Sequence, residues 1–429
     1  MLARFSLMVT LVFAGEVVFG LPFQTSRFFR PTMLEAFGLN NAQLGDMLGA
    51  YGVTAMLAYF PGGMLADRFS ARSLLTASLV ATGVGGFFMA TYPGRLGMLV
   101  LFAYWGVTTI LLFWSAMIRA TREWGGADAQ GRAFGILEGG RGLVAALLAS
   151  IGVAVFALAM PDVDAQVTPE LRRAAFRSVI LMYSVAAFVA GVLTWLLVPP
   201  ADVDGASGRG LFEGAGFVLS RPIVWAHAAT IVCAYCCFKG LDNYSLYAVQ
   251  VLGMNEIDGA RLASWGAWIR PAAAFLAGVL ADRWSGARTL RAAFVLLLVC
   301  YAVLSVVLPD GVGLVLIYLN LFVSFAAVFA LRGVYFALLN ENRVPPFLTG
   351  AVAGTVSFIG FTPDVFFGPV TGRILDANPG LVGHQNYFLF LAAIALLAIG
   401  VVFWLLRLQQ KTDESTWPAD VHAMKRDLH

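Results

Sequence analysis

The chain has 429 residues, 59% of them hydrophobic and only 12% charged, with a formal net charge of +3. A soluble domain carries roughly twice that share of charge, so a large water-soluble helical protein is excluded and nucleic acid is not an expected partner. Apolar stretches long enough to cross about 30 Å of hydrocarbon recur along the whole length, which reads as an all-α, multi-pass membrane protein. The four cysteines sit in apolar runs away from the four histidines, so they read as small hydrophobes. No metal, no cofactor and no nucleophile–base set is expected, and the chain does not read as an enzyme.

In chain order, apolar runs predict spans at 4–31, 42–66, 73–92, 96–119, 132–159, 176–198, 222–251, 261–281, 290–308, 312–339, 350–374 and 386–406, twelve in all. The first superficially resembles a secretory signal, but Glu16 interrupts it and no small-x-small cleavage site follows. The second ends in a charged knot, "GGMLADRFSARS", holding Gly63, Asp67, Arg68 and Arg72. The fourth carries Arg119 near its end, where the side chain can reach the interface. The fifth contains "GILEGGRGL", with Glu138 and Arg141 three residues apart on one helix face.

After the sixth span, "PPADVDGASGRGLFEGAG" has the composition of a linker. The expected organisation is therefore a six-helix bundle over 1–198, a cytoplasmic linker over 199–221, a second six-helix bundle over 222–407 and a short polar tail over 408–429. Loops on the N-terminal side hold the larger share of Lys and Arg, which predicts both termini in the cytoplasm.

In the second half, the seventh span carries Lys239 and Asp242, again three residues apart, with Tyr244 close by. Each such pair reads equally as a structural ion pair or as an exchangeable one. The eighth holds Trp268 and Arg270 at mid-depth, with Pro271 removing a backbone donor next to the guanidinium. A guanidinium there suits bidentate capture of a carboxylate or phosphate; the alternative is a salt bridge to Asp364 or Glu16. The same span ends in "GVLADRWSGART", holding Gly278, Asp282, Arg283 and Arg288. This repeats the first knot half a chain length later. Arg332 in the tenth span is a second candidate cation. Asp364 lies in the Gly/Pro-interrupted eleventh span, "GTVSFIGFTPDVFFGPVTGRILD", and such interruptions point to transporter binding sites.

The two knots resemble the loop 2–3 signature of the major facilitator superfamily and its second-half copy, with Ser70 and Ser285 where that family usually has Gly. The resemblance implies twelve transmembrane helices in two pseudo-symmetric bundles and transport by alternating access. It also implies that Asp67, Arg68 and Arg72, with Asp282, Arg283 and Arg288, gate the cytoplasmic side; the plainer reading is that they only anchor the chain at the membrane surface. "FRPTMLEAFGLNNAQLGDMLGAYG", "QGRAFGILEGGRGL" and "IGFTPDVFFGP" look more specifically like the branch containing nitrate/nitrite porters and organophosphate/phosphate antiporters. In that branch cavity arginines bind the anion, and Arg270 stands where nitrate porters carry one. The second span offers no arginine partner and the fifth lacks the nitrate signature, so a larger organic anion is expected. The fifth span also lacks the Gly-Pro-x-x-Gly-Gly element of proton-driven drug exporters.

The expectation is thus a monomeric carrier in the bacterial inner membrane for a small organic anion (a carboxylate, sulfonate or phosphate ester), proton-coupled or anion-exchanging. Arg270, Arg332, Lys239, Asp242, Arg141, Tyr244 and Trp268 are the substrate-binding candidates, and Asp364, Glu16 and Glu138 the proton-coupling ones. The alternatives are an exporter of neutral or amphipathic compounds and a transporter-like solute sensor.

Overall fold

The computed structural model describes residues 2–126, 130–160, 167–200, 215–335, 337–345, 348–411 and 417. Among them every regular element is a helix. The α-helices are α1 (Leu2–Val17), α2 (Thr25–Phe28), α3 (Arg30–Phe37), α4 (Asn41–Arg68), α5 (Ala71–Met89), α6 (Arg95–Gly106), α7 (Ser115–Gly125), α8 (Gln130–Ala159), α9 (Pro169–Leu197) and α10 (Ala215–Leu219). They continue with α11 (Pro222–Gly240), α12 (Tyr244–Gln250), α13 (Glu256–Trp284), α14 (Gly286–Val306), α15 (Gly311–Val334), α16 (Leu338–Glu341), α17 (Thr349–Gly360), α18 (Pro363–Ala377) and α19 (Leu381–Lys411).

Ten helical stretches among the described residues are long and apolar enough to cross a membrane. The second and eighth spans fall outside that group because each is diluted by polar residues and ends in its charged knot. Both are still continuous helices, α4 of 28 residues and α13 of 29, about 42 Å long at 1.5 Å per residue. They complete the twelve. Side chains such as Leu158, 88% exposed, and Val312, 77% exposed, lie on the outside of the helices, where only lipid makes such exposure tolerable.

Several spans are broken, each with a local cause. The first passes through a π-helical turn at Gly20–Gln24 before α2, and the fourth through a π-helical stretch at Val107–Trp114 before α7; such bulges concentrate at functional sites. The seventh tightens into a 3-10 turn at Leu241–Asn243. The eleventh breaks between Gly360 and Pro363, because the proline cannot donate to the preceding turn. Helix starts follow capping chemistry: Asn40 and Gln43 form a reciprocal capping box on α4, Ser70 caps α5 and Thr168 caps α9.

By contacts the chain divides into two units that do not follow chain order. The first comprises Met1–Ala206, Asp242–Trp268 and Asp364–Leu381; the second comprises Ser207–Leu241, Ile269–Pro363 and Val382–His429.

In the first unit small residues let helices approach closely, as expected where packing rather than water drives association. A Cβ on Gly106 would lie 2.4 Å from the Tyr51 carbonyl oxygen, and one on Gly85 2.5 Å from the Trp105 indole nitrogen. That nitrogen donates to the Thr82 carbonyl at 3.1 Å.

The second unit repeats the device, with Gly333 against the Ala274 backbone and Gly360 against Ile231. Tyr387 donates to the Gly240 carbonyl at 2.6 Å. Residues 201–214 of the linker, and 412–416 and 418–429 of the tail, lie outside the described residues. One residue of the distal tail is described. Trp417 is 5% exposed, and its indole donates to the Asn342 carbonyl at 2.9 Å.

Candidate functional site

The first unit buries a charged cluster where α1 meets α8. Two glycines make the approach possible: a Cβ on Gly15 would meet the Met117 sulfur at 2.9 Å, and one on Gly140 would meet Val12 at 2.7 Å. Arg141 on α8 reaches across, its Nε donating to the Gly15 carbonyl at 3.0 Å and lying 3.5 Å from a Glu16 carboxylate oxygen. Its terminal nitrogen pairs with Glu138 at 2.5 Å. The other Glu16 oxygen accepts from Gln24 at 3.0 Å, and the Gln24 carbonyl oxygen accepts from the Tyr183 hydroxyl at 2.9 Å. The π-helical turn at 20–24 brings Gln24 round to face Glu16. The guanidinium carbon lies 5.7 Å from the Phe19 ring centre and 5.9 Å from that of Trp114, a setting that holds a cation.

The three charged groups are not equally enclosed. The side chains of Arg141 and Glu16 are 8% and 9% exposed, that of Glu138 48%. Two carboxylates face one guanidinium, and the open one is Glu138.

A second polar network of the first unit gathers around the start of α4. The Asp376 carboxylate on α18 accepts from the Asn41 backbone and side-chain nitrogens at 3.1 and 3.0 Å and from the Ala42 backbone at 2.7 Å. Arg373 pairs with Asp46 at 2.8 Å. Beneath these contacts α4 and α18 touch backbone to backbone. A Cβ on Gly45 would fall 2.2 Å from the Gly368 carbonyl oxygen, and one on Gly52 2.4 Å from that of Asp364. Nearby, Arg27 pairs with Asp242 at 2.6 Å, Arg172 pairs with Glu256 at 2.7 Å, and Thr32 donates to the same Glu256 at 2.6 Å.

This network gives several sequence candidates a definite setting. Asp242 finds Arg27 as an ion-pair partner, where spacing alone had pointed only to Lys239. Tyr244 is fully buried. Trp268 is 42% exposed, its indole donating to the Ser150 hydroxyl at 3.0 Å. Asp364 is half-buried in the first turn of α18. The sequence does not single out Arg27, Arg172 or Glu256, because nothing in their local pattern marks them.

In the second unit, Lys239 is 2% exposed and Arg270 and Arg332 are half-buried. The Arg332 guanidinium carbon stands 4.1 Å over the Phe238 ring. His227 is fully buried between the Tyr335 carbonyl, 2.9 Å from Nε2, and the Asn342 amide, 3.4 Å from Nδ1. Because a carbonyl can only accept, Nε2 carries the proton and Nδ1 accepts from Asn342.

In the first knot Asp67 and Arg68 are exposed, and the Arg72 guanidinium stacks 4.2 Å over the Trp195 ring. Arg119 donates to the Ala66 carbonyl at 2.6 Å, on the same helix turn as Gly63. In the second knot Asp282, Arg283 and Arg288 are exposed and Gly278 is half-buried. Ser285 caps α14 through the Arg288 backbone at 3.2 Å with φ at 154°, backbone that glycine adopts more readily. The Glu341 carboxylate also caps that terminus, accepting from the backbones of Gly286 and Ala287. Among the described residues no cluster of His, Cys, Asp or Glu could hold a metal, and all four cysteines are free and buried.

The fold and its charged spans define a multi-pass membrane carrier. Residues 12–363 match the family model of the Major Facilitator Superfamily, and the chain belongs to that family. It is therefore a transport protein rather than an enzyme. It is 29% identical to the inner membrane protein YqcE of Escherichia coli (strain K12), over 97% of each chain. It is 24% identical to the probable nitrate/nitrite antiporter NarK1 of Thermus thermophilus, over 91% of this chain and 88% of that one. The crystal structure of a bacterial homologue of the human lysosomal transporter Spinster superposes with a TM-score of 0.75 at 14% identity, over 98% of both chains, which shows the fold.

Proposed function

We propose that the chain carries a small organic anion, a carboxylate, sulfonate or phosphate ester, across the bacterial inner membrane by alternating access, coupled to protons. The observation that carries this reading is Arg141. Its guanidinium is enclosed in the bundle, and its outer nitrogen rests on a half-exposed carboxylate. An oxyanion from solution can take the place of Glu138 on that nitrogen. Arg270, Arg332 and Lys239 supply further cations in the second unit, and Asp364 is a further candidate acid. The relative with nitrate/nitrite antiport in its name supports an anionic cargo. The Lys and Arg distribution supports cytoplasmic termini, the name of YqcE supports the inner membrane, and the protein works as a monomer in this reading. The Asp67 and Asp282 knots serve as gates. Each cycle breaks the Asp376 and Arg373 contacts with α4, so these latch one of the two states.

The test is a thermal-shift screen of purified protein against gluconate, 2-hydroxyethanesulfonate and glycerol 3-phosphate. At least one should stabilise the wild type, and Arg141→Ala and Arg270→Ala should each abolish the shift while still inserting in the membrane. A wild type indifferent to all three, but stabilised by lipophilic amines, favours export of amphipathic compounds. The Phe19 and Trp114 rings beside the Glu16 and Glu138 carboxylates are what support that second reading.

A further inference from the structure

We propose that α5 and α9, at the end away from the first knot, form a binding site for one anionic phospholipid. Its phosphate is held by Arg173 and Arg177, and an acyl chain lies in the apolar groove below them. The site belongs to the first unit alone and does not depend on what the carrier transports.

The headgroup end is built from two immobilised guanidiniums. Arg173 and Arg177 are four residues apart on α9, so they share one helix face. Each is pinned through Nε, Arg173 donating to the Ala36 carbonyl at 2.9 Å and Arg177 to the Ala90 carbonyl at 3.0 Å. Both guanidinium carbons also lie beside the Tyr92 ring, 5.7 and 5.4 Å from its centre. Tyr92 is itself fixed by a hydrogen bond from its hydroxyl to the Arg173 carbonyl. Both arginines are exposed, and among the described residues neither has an acidic partner. Their neighbour Arg172 does have one, in Glu256. The terminal N–H groups of two rigid guanidiniums are thus left to solution, the donor set that a phosphate takes. In the orientation proposed above this end is periplasmic, where loop cations are usually sparse. Arginines kept there call for an anion that is always present, and the lipid headgroup layer supplies one.

The apolar end lies directly below. Phe87 of α5 and Val185, Phe188, Val189, Val192 and Leu193 of α9 line a groove of about 490 Å³. Phe87 stands three residues before Ala90, so the groove opens within a helical turn of the carbonyl that anchors Arg177. Phe188 follows Arg177 by eleven residues and Val192 by fifteen, close to three and four whole turns, which keeps them near the arginine's own face. The hydrocarbon of one leaflet is about 15 Å deep, so a chain hanging from a phosphate at Arg177 runs past Phe87 to Phe188. Inorganic phosphate would fill only the upper half of this site, and a zwitterionic lipid would leave part of its positive charge unmatched. A net negative phospholipid matches both halves.

The test is native mass spectrometry of the full-length protein, delipidated in detergent and titrated with phosphatidylglycerol or phosphatidylcholine of the same chain length. The wild type should retain one phosphatidylglycerol at a concentration at least about tenfold below that needed for phosphatidylcholine. Arg173→Gln combined with Arg177→Gln should lose that one lipid and the preference with it. Val192→Trp fills the groove while leaving both guanidiniums in place, and should weaken retention severalfold. Excess inorganic phosphate should not displace the lipid. If the Gln pair fails to fold, Arg173→Lys with Arg177→Lys keeps both charges but not the planar donors, and should retain the lipid more weakly than the wild type.

Equal retention of the two lipids by the wild type overturns the proposal, as does a preference that survives loss of both guanidiniums in either double variant. Displacement by inorganic phosphate, with retention indifferent to Val192→Trp, overturns the lipid as occupant and leaves a site for free anions.

Discussion

Asp376 and Ala42 are 334 positions apart in sequence and joined by a 2.7 Å hydrogen bond, the Ala42 backbone donating to the carboxylate. The acid also accepts from both nitrogens of Asn41. A side chain near the end of α18 thus caps the first turn of α4, where unpaired N–H groups and the helix dipole both favour an anion. Asp67 lies at the opposite end of the same helix. In the gate reading α4 has an acidic device at each end, one at its own C-terminus and one lent to its N-terminus.

Replacing Asp376 with Ala removes an acceptor shared by three donors. The expected cost is about 1–2 kcal/mol, read as a lower thermal midpoint in detergent, with Asp376→Asn intermediate because it keeps one acceptor oxygen. An unchanged midpoint in the Ala variant would show that water replaces the carboxylate without loss.

Gly45 and Gly52 are where α4 and α18 touch through their backbones, and a carbonyl oxygen cannot move aside as a side-chain tip can. Gly45→Ala and Gly52→Ala should each destabilise by about 1–3 kcal/mol. Gly400 on α19 has nothing within 4 Å of where its Cβ would stand. Gly400→Ala should therefore be neutral or stabilising, by up to about 1 kcal/mol. Thermal unfolding of the three variants side by side checks the contrast.

Arg141→Ala strips the counter-ion from two carboxylates, one of them enclosed. A loss of about 3–5 kcal/mol is expected, and adding Glu16→Gln should recover part of it because the enclosed charge is then gone. A double-mutant cycle by chemical unfolding measures the coupling. A cycle in which the two losses simply add would disprove the contact.

Trp417 ties the tail to Asn342, whose side-chain oxygen also accepts from Gln409 at 2.8 Å and whose amide faces His227. Trp417→Ala should cost about 3 kcal/mol or more by loss of a buried indole. Trp417→Phe should cost nearer 1 kcal/mol, keeping most of the packing and losing the hydrogen bond. Thermal unfolding of the two variants beside the wild type checks the difference.

The sequence by itself determined the helices, their number and the family. An apolar run long enough to cross hydrocarbon must be helical, since no water is there to satisfy its backbone, and the two charged knots mark the repeat. It also exposed Glu16, Glu138, Arg141 and Asp364, because an ionisable residue inside an apolar run is conspicuous, and the i,i+3 spacing of Glu138 and Arg141 already implied contact. What it could not rank was the two acids competing for Arg141. Only the crossing of α1 and α8, with Gln24 and Tyr183 folded in behind, decided that Glu16 is enclosed and Glu138 open. Nor could it find Arg27 with Asp242, Arg172 with Glu256, or Asp376 with the start of α4. Pairing between helices distant in the chain leaves no periodic trace, and a cation beside a loop looks the same whether solvent or an acid receives it. Those partners exist because glycines bring backbones together, and which backbones meet is settled by the packing of the whole bundle.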